Sequence, residues 1–232
     1  MNVAIITLGC TKNEVDSEMI VGYLLKKNYR ITTNLNDADI IIINTCGFIE
    51  LARKEAIEVI LDASDYKMVN CKHLIVVGCM AKLYKQEILK EFKEVDLVIG
   101  VDEYDRFDEI FSEYFDTEID NYGLDFNDRI VSTKFPIAYV RISDGCNNKC
   151  SYCAIPYIRG AFKSRKMEDI LNEVKNLVSQ GFTDFNLISQ DTTKYGLDIY
   201  NEYKLKDLLF EISKIDGVRK IRILYMYLHE VT

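Results

Sequence analysis

Residues 39–46 read DIIIINTC, four isoleucines in succession opened by an acidic residue and closed by Asn44, Thr45 and Cys46. A β-branched run of this kind predicts a buried strand, and one buried on both faces belongs inside a parallel sheet. Working outward, the same pattern recurs. Residues 3–8 are apolar but for Thr7 and lead to Gly9 and Cys10, residues 73–77 lead to Gly78 and Cys79, and residues 96–101 form a fourth run. Helical periodicity fills the gaps over residues 13–27, 48–64 and 83–92, and residues 102–115 follow the fourth run as a further helical segment. Strands alternating with helices predict an α/β domain with a doubly wound, mostly parallel sheet over residues 1–115.

The bulk composition narrows the classes of function. With 48% hydrophobic residues, 28% charged and only two prolines, the 232-residue chain has the profile of a folded protein, not a disordered or fibrous one. A net charge of −8 argues against broad adhesion to nucleic acid, which depends on Lys and Arg displacing counterions, so no direct nucleic-acid binding is expected. No stretch approaches the roughly 18 apolar residues of a membrane span. The opening MNVAIITL lacks the basic start and cleavage site of a secretion signal, so no membrane association and a cytoplasmic location are expected. Seven cysteines in that compartment point to metal or catalytic roles before disulfides.

Between residues 102 and 128 eleven acidic side chains face one basic residue, Arg106, which reads as a solvated helix followed by an acidic linker over residues 116–135. The strand pattern then restarts. Residues 138–142, 184–189 and 219–227 are predicted strands, and residues 166–179 and 205–215 predicted helices, giving three βα-type repeats without closure in a second domain over residues 136–232.

Cys146, Cys150 and Cys153 form CxxxCxxC in SDGCNNKCSYCAIP, directly after the predicted strand 138–142. Structural zinc takes four protein ligands, and no fourth Cys or His lies nearby, the only histidines being His73 and His229. Three thiolates fit a 4Fe-4S cluster whose fourth iron stays open to another ligand. In the first half Cys10, Cys46 and Cys79 each close a predicted strand. Strand C-terminal ends share one edge of a parallel sheet, so these three, although 36 and 33 residues apart, are candidates to converge on a second three-thiolate site. Any one of them alone reads as a small buried hydrophobe, as Cys71 does.

The CxxxCxxC motif, with Tyr152 before its last cysteine, resembles the signature of the radical S-adenosylmethionine superfamily. That resemblance implies that S-adenosylmethionine chelates the open iron, that Tyr152 neighbours its adenine, and that the fold is a partial (β/α) barrel with its site at the strand C-terminal ends. Gln190 and Asp191, in LISQDTTKYG, stand where the superfamily holds the methionine amino group, although polar residues ending a strand also form turns. Arg159 and Arg165 are candidates for the cofactor carboxylate or a substrate, or plain surface charge.

The set LGCTKNEVDSE, NTCGFIELARKEAI, VVGC, CNNKCSYCAIPYIRGAFKSR and ISQDTTKYG resembles the methylthiotransferases, over nearly the whole chain. The resemblance implies an auxiliary 4Fe-4S cluster on Cys10, Cys46 and Cys79 beside the radical cluster on Cys146, Cys150 and Cys153. It implies methyl transfer from one S-adenosylmethionine to a sulfur on the auxiliary cluster, and hydrogen removal from a substrate carbon by a radical drawn from a second. LGCTKN, CGFIE and QDTTKYG are similar to the branch that modifies an aspartate of small-subunit ribosomal protein S twelve, which makes that protein the expected substrate and an electron-donor protein the expected partner. Transfer RNA methylthiolation and a catalytically incompetent metal-binding fragment are the competing readings. The 95 residues from Ala138 onward suffice for about three of six βα units at ~30 residues each. The expectation is therefore the first half of a barrel, C-terminally truncated, with an apolar inner face exposed and little turnover by itself.

Overall fold

The apolar runs of the first half become strands of one parallel sheet in the computed structural model, which describes residues 1–120 and 122–227. His229 lies outside the described residues. The chain divides into two compact units, Met1–Ile130 and Val131–Thr232. In the first, β1 (Asn2–Thr7), α1 (Thr11–Lys26), β2 (Arg30–Ile31), β3 (Ile40–Thr45), α2 (Glu50–Ser64), β4 (His73–Gly78), α3 (Cys79–Glu91), β5 (Val95–Gly100) and α4 (Phe107–Phe115) follow one another. The strand order is β2-β1-β3-β4-β5, with every pairing parallel.

The isoleucines of β3 show why both faces are covered. Successive strand residues point to opposite sides. Ile40 and Ile42 pack with Ile20 and Leu24 of α1 and Phe107 and Phe111 of α4, whereas Ile41 and Ile43 pack with Ala56 and Ile60 of α2 and Ala81 and Ile88 of α3. All four are wholly inaccessible, a gross stabilisation of roughly 6–12 kcal/mol before conformational entropy is charged against it. The sheet is doubly wound, as its sequence pattern predicts.

Residues beyond α4 return across α1. Gly22 makes this crossing possible, because a Cβ there would lie 2.2 Å from the Asp128 carbonyl oxygen. The segment is tied down by a fully buried ion pair of Arg129 with Glu18, by Lys27 to Asp120 at 2.6 Å, and by Lys26 to Asp128. Asp102 and Glu103 are likewise paired, with Lys82 and Lys85.

The second unit contains β6 (Ile137–Arg141), β7 (Ser143–Asp144), α5 (Ile155–Arg159), β8 (Lys163–Ser164), α6 (Met167–Ser179), β9 (Asp184–Ile188), α7 (Leu197–Tyr200), α8 (Leu205–Ser213) and β10 (Lys220–Ile223). A three-stranded parallel sheet runs β10-β9-β6, and β7 and β8 form a separate antiparallel ribbon. Ala138, Val140, Phe185 and Leu187 pack with Ile170 and Val174 of α6 and Leu208 and Ile212 of α8. The alternate residues, Tyr139, Arg141, Asn186, Ile188 and Arg222, therefore take the other face, where Arg222 Nη1 donates to Asn186 Oδ1 at 3.2 Å. That face is largely polar, which corrects the expected apolar inner surface: AYVR and FNLI alternate, and their polar members point away from the helices.

Candidate metal centres

The strand order places β1 beside β3, with the crossovers leaving in opposite directions, which is the switch point where open α/β sheets bind ligands. Cys10 and Cys46 leave the two strands that flank it, and Cys79 begins α3 directly after β4. The loops approach closely. Gly9, at φ +91°, has no room for a side chain, since a Cβ would lie 2.5 Å from Cys46 Cβ and 3.1 Å from its Sγ. Gly47 meets Met80 in the same way, at 3.0 Å from its Cα.

A polar network that sequence reading missed organises this edge. Asn13 is fully buried; its Nδ2 donates to the Leu8 carbonyl at 2.9 Å and the Thr45 carbonyl at 3.1 Å, and Cys79 Sγ donates to its Oδ1 at 3.7 Å. Asn44 Nδ2 donates to the Asn13 carbonyl and to Ser17 Oγ, both at 2.9 Å. Thr45 Oγ1 donates to the Val77 carbonyl at 2.7 Å, joining β3 to β4. The available signal was a polar pair, Asn44-Thr45, ending a run of isoleucines.

Cys10 is exposed, Cys46 half-buried and Cys79 buried, all as reduced thiols. A cavity of about 560 Å³ opens onto Gly9, Cys10, Cys46, Phe48, Ile49 and Ala52. Cys10 is the N-terminal cap of α1, Cys79 starts α3, and α2 begins at Glu50; none of these helices has a side-chain cap. The positive ends of these helices suit an anionic ligand. As placed, no three His, Cys, Asp or Glu side chains among the described residues stand close enough to share one metal ion, which needs sulfurs roughly 4 Å apart. A cubane takes each thiolate on a different iron, and three thiols at one sheet edge, Cys10 and Cys46 lining an open cavity and Cys79 buried at the start of α3, fit that demand. Cys71 is buried elsewhere, its Sγ 3.3 Å from the His73 carbonyl, and burial pushes its thiol pKa up.

The second triad sits on the loop between β7 and α5. Gly145, at φ +68°, lets this loop touch its return strand, as a Cβ would lie 2.1 Å from the Ala161 carbonyl oxygen. The Cys146 amide donates to the Gly160 carbonyl at 3.1 Å, and the Cys153 amide to the Cys150 carbonyl at 3.0 Å. Phe162 N donates to Asn147 Oδ1 at 3.0 Å. Burial pushes the Cys146 thiol up, and burial together with the neighbouring Cys150 side chain pushes the Tyr227 phenol up.

Asp191 is fully buried and receives Asn148 Nδ2 at 2.8 Å, the Thr193 hydroxyl, and Lys194 Nζ at 3.5 Å; Lys194 also reaches Asn148 Oδ1. The carboxylate thus braces the cysteine loop from inside it. Both polar atoms of the Gln190 amide are buried beside the Asp144 carboxyl, which this amide helps to hold below its ordinary range. Tyr152 is 84% exposed. Arg159 Nη1 lies 3.1 Å from Asp144 Oδ2; burial raises the pKa of that carboxyl, but Arg159 and Arg141 outweigh it and hold the group below its ordinary range. Arg165 Nη1 donates to the Arg141 carbonyl at 2.6 Å and to buried Glu173 at 2.5 Å. Both arginines are therefore structural ties.

Comparison with known proteins agrees with this layout. Residues 2–100 match the model of uncharacterized protein family UPF0004, and residues 140–227 that of the Radical SAM superfamily. Curated methylthiotransferases are similar over nearly the whole chain. The relatives concerned are ribosomal protein uS12 methylthiotransferases RimO. That of Acetivibrio thermocellus is 45% identical over 99% of this chain and 54% of its own length. That of Alkaliphilus oremlandii is 46% identical over 100% and 53%, and that of a Thermoanaerobacter species 47% over 100% and 55%. The chain spans about half the length of these relatives. In fold it is similar to TsrM, a radical S-adenosylmethionine methyltransferase from Kitasatospora setae, with TM-score 0.61 at 13% identity over 94% of this chain and 53% of that one. No helix among the described residues is long and apolar enough to cross a membrane.

Proposed function

We propose that this chain is the cluster-bearing half of an enzyme that places a methylthio group on the β-carbon of an aspartate in ribosomal protein uS12. The observation that carries the reading is the pairing of two cysteine triads, one on a sheet edge and one on the loop after β7, in a chain 45–47% identical to uS12 methylthiotransferases. In this reading Cys146, Cys150 and Cys153 hold the radical cluster, and Cys10, Cys46 and Cys79 an auxiliary 4Fe-4S cluster. When bound, a cluster with an open iron supplies an electron and a chelation point for S-adenosylmethionine.

The remaining work falls to side chains. Asn148, Asp191 and Lys194 keep the CxxxCxxC loop in one geometry, so that a chelated cofactor meets a preorganised pocket. Tyr152 projects an uncovered ring for the adenine. The buried Gln190 amide, beside Asp144, carries both a donor and an acceptor for the methionine end. On the first unit, uncapped helix ends around the triad accommodate negative charge. The substrate is uS12, the electron comes from a donor protein, and the reducing cytoplasm keeps all seven thiols available.

Anaerobic iron and sulfide quantitation tests the cluster assignment. About eight of each per chain are expected, falling to about four when either triad is replaced by alanines. Full iron in a triple variant refutes that triad as ligands. Offering uS12 and transfer RNA in turn to the full-length enzyme tests the substrate, and a methylthio mass gain on the RNA alone overturns uS12.

A further inference from the structure

We infer that Asn13 is a positioning residue of the auxiliary centre, its single carboxamide setting the relative places of the three loops that present Cys10, Cys46 and Cys79. The inference rests on the proposed cluster there. Its ground is geometric: three sequence-distant loops meet at one side chain. Nδ2 holds the Leu8 carbonyl, two residues before Cys10, and the Thr45 carbonyl, immediately before Cys46. Oδ1 accepts from the Cys79 thiol at 3.7 Å, which places that sulfur before it gives up its proton to take iron. The Asn13 amide donates to the Cys10 carbonyl at 2.9 Å, and Asn44 fixes Asn13 in turn through its carbonyl.

The contact set also shows why other residues fail here. Two carbonyls on one nitrogen require both hydrogens of a primary amide, and the third contact requires an oxygen on the same carbon. Aspartate keeps the oxygens but offers no donor to either carbonyl, and would place a carboxylate against them. Alanine leaves both strand-end carbonyls buried and unpaired. Serine and threonine cannot span the three loops. A ring of ligands drawn from separate loops depends on such outer contacts more than a local motif does, because nothing covalent keeps the loops in register.

The test uses the full 232-residue chain carrying C146A, C150A and C153A, so that bound iron reports the first triad alone. Three further variants are built on it: N13A, N13D, and F111L, which loosens the buried core between α4 and the sheet away from the cysteines. After anaerobic reconstitution, iron per chain, release to a chelator, the electron paramagnetic resonance spectrum of the reduced cluster and apoprotein melting are measured. Outer-contact losses typically weaken metal sites 10–100-fold, so N13A and N13D should release iron at least about tenfold faster and show a shifted spectrum. F111L, melting as low as they do, should keep the parent rate and spectrum. Unchanged release and spectrum in both Asn13 variants overturn the positioning role while leaving the cluster assignment standing, as does an equal change in F111L. A parent with no iron overturns the cluster and this role together.

Discussion

The two triads, as proposed cluster sites, would solve one problem in opposite ways. Cys146, Cys150 and Cys153 lie within eight residues on one loop, and a few braces suffice to shape them. Cys10, Cys46 and Cys79 come from three loops, and only the assembled sheet brings them to a common edge. A local site inherits its geometry from its own backbone; a distributed one inherits it from tertiary packing, so its ligand geometry shares in the stability of the whole first unit. The distributed triad should therefore fail whenever that unit opens, and the local triad should not.

Glycine substitutions separate the two most sharply. Gly9→Ala combines a left-handed backbone with a Cβ 2.5 Å from Cys46 Cβ, and should cost about 2–4 kcal/mol while emptying the distributed triad only. Gly145→Ala collides with the Ala161 carbonyl at 2.1 Å and should do the reverse. Iron counts on each variant, read against denaturant melts, check both; loss from both triads in either one breaks the contrast. Next in size, Ile42→Ala hollows the core under α1 and α4 and should destabilise by about 2–5 kcal/mol. In rising denaturant its first-triad iron should leave with unfolding of the sheet, ahead of the second. Asn148→Ala then removes the brace to Asp191, and should speed iron release from the local triad about tenfold with no change at the other.

How much of this was legible beforehand follows the same division. The four strands of the first sheet announced themselves because residues such as Ile40 to Ile43 are buried on both sides, and burial is what apolar runs record. β2 did not, since Arg30 and Ile31 are exposed and form a two-residue edge with no pattern to read. The helix placed at residues 83–92 starts at Cys79, because a glycine-cysteine junction reads as a loop until the strand before it is seen to end there. All six candidate cysteines were visible from spacing and strand ends. Their braces were not: each of Asn13, Asn44, Asn148 and Lys194 has a partner 31 to 66 residues away, and a side chain's partner at that distance leaves no periodic trace. Asp191, a candidate to face the cofactor, has its carboxylate held by Asn148, Thr193 and Lys194, contacts that the sequence does not record.

The smallest expected effect sharpens the contrast through acid. Asp108 in α4 lies 3.0 Å from Lys27 Nζ, 2.8 Å from the Tyr23 hydroxyl and 3.1 Å from Ser112 Oγ. Burial raises its pKa, but Lys27, Tyr23 and Ser112 together outweigh that and leave it below the ordinary carboxylate range. Burial likewise lowers Lys27, and Asp120 and Asp108 outweigh it to leave that ammonium raised, so the two partners agree in sign. A carboxyl depressed in the folded state stabilises it fully above the unfolded value, about 3.9, and loses that contribution as pH falls through the folded value. Asp108→Asn should therefore cost about 1–2 kcal/mol near neutrality, and the gap to wild type in denaturant midpoints should close below about pH 4. First-triad iron retention should track that gap. A gap that persists undiminished at pH 3 would mean that Asp108 acts through shape and neutral hydrogen bonds, and that charge contributes nothing to the stability on which the distributed triad depends.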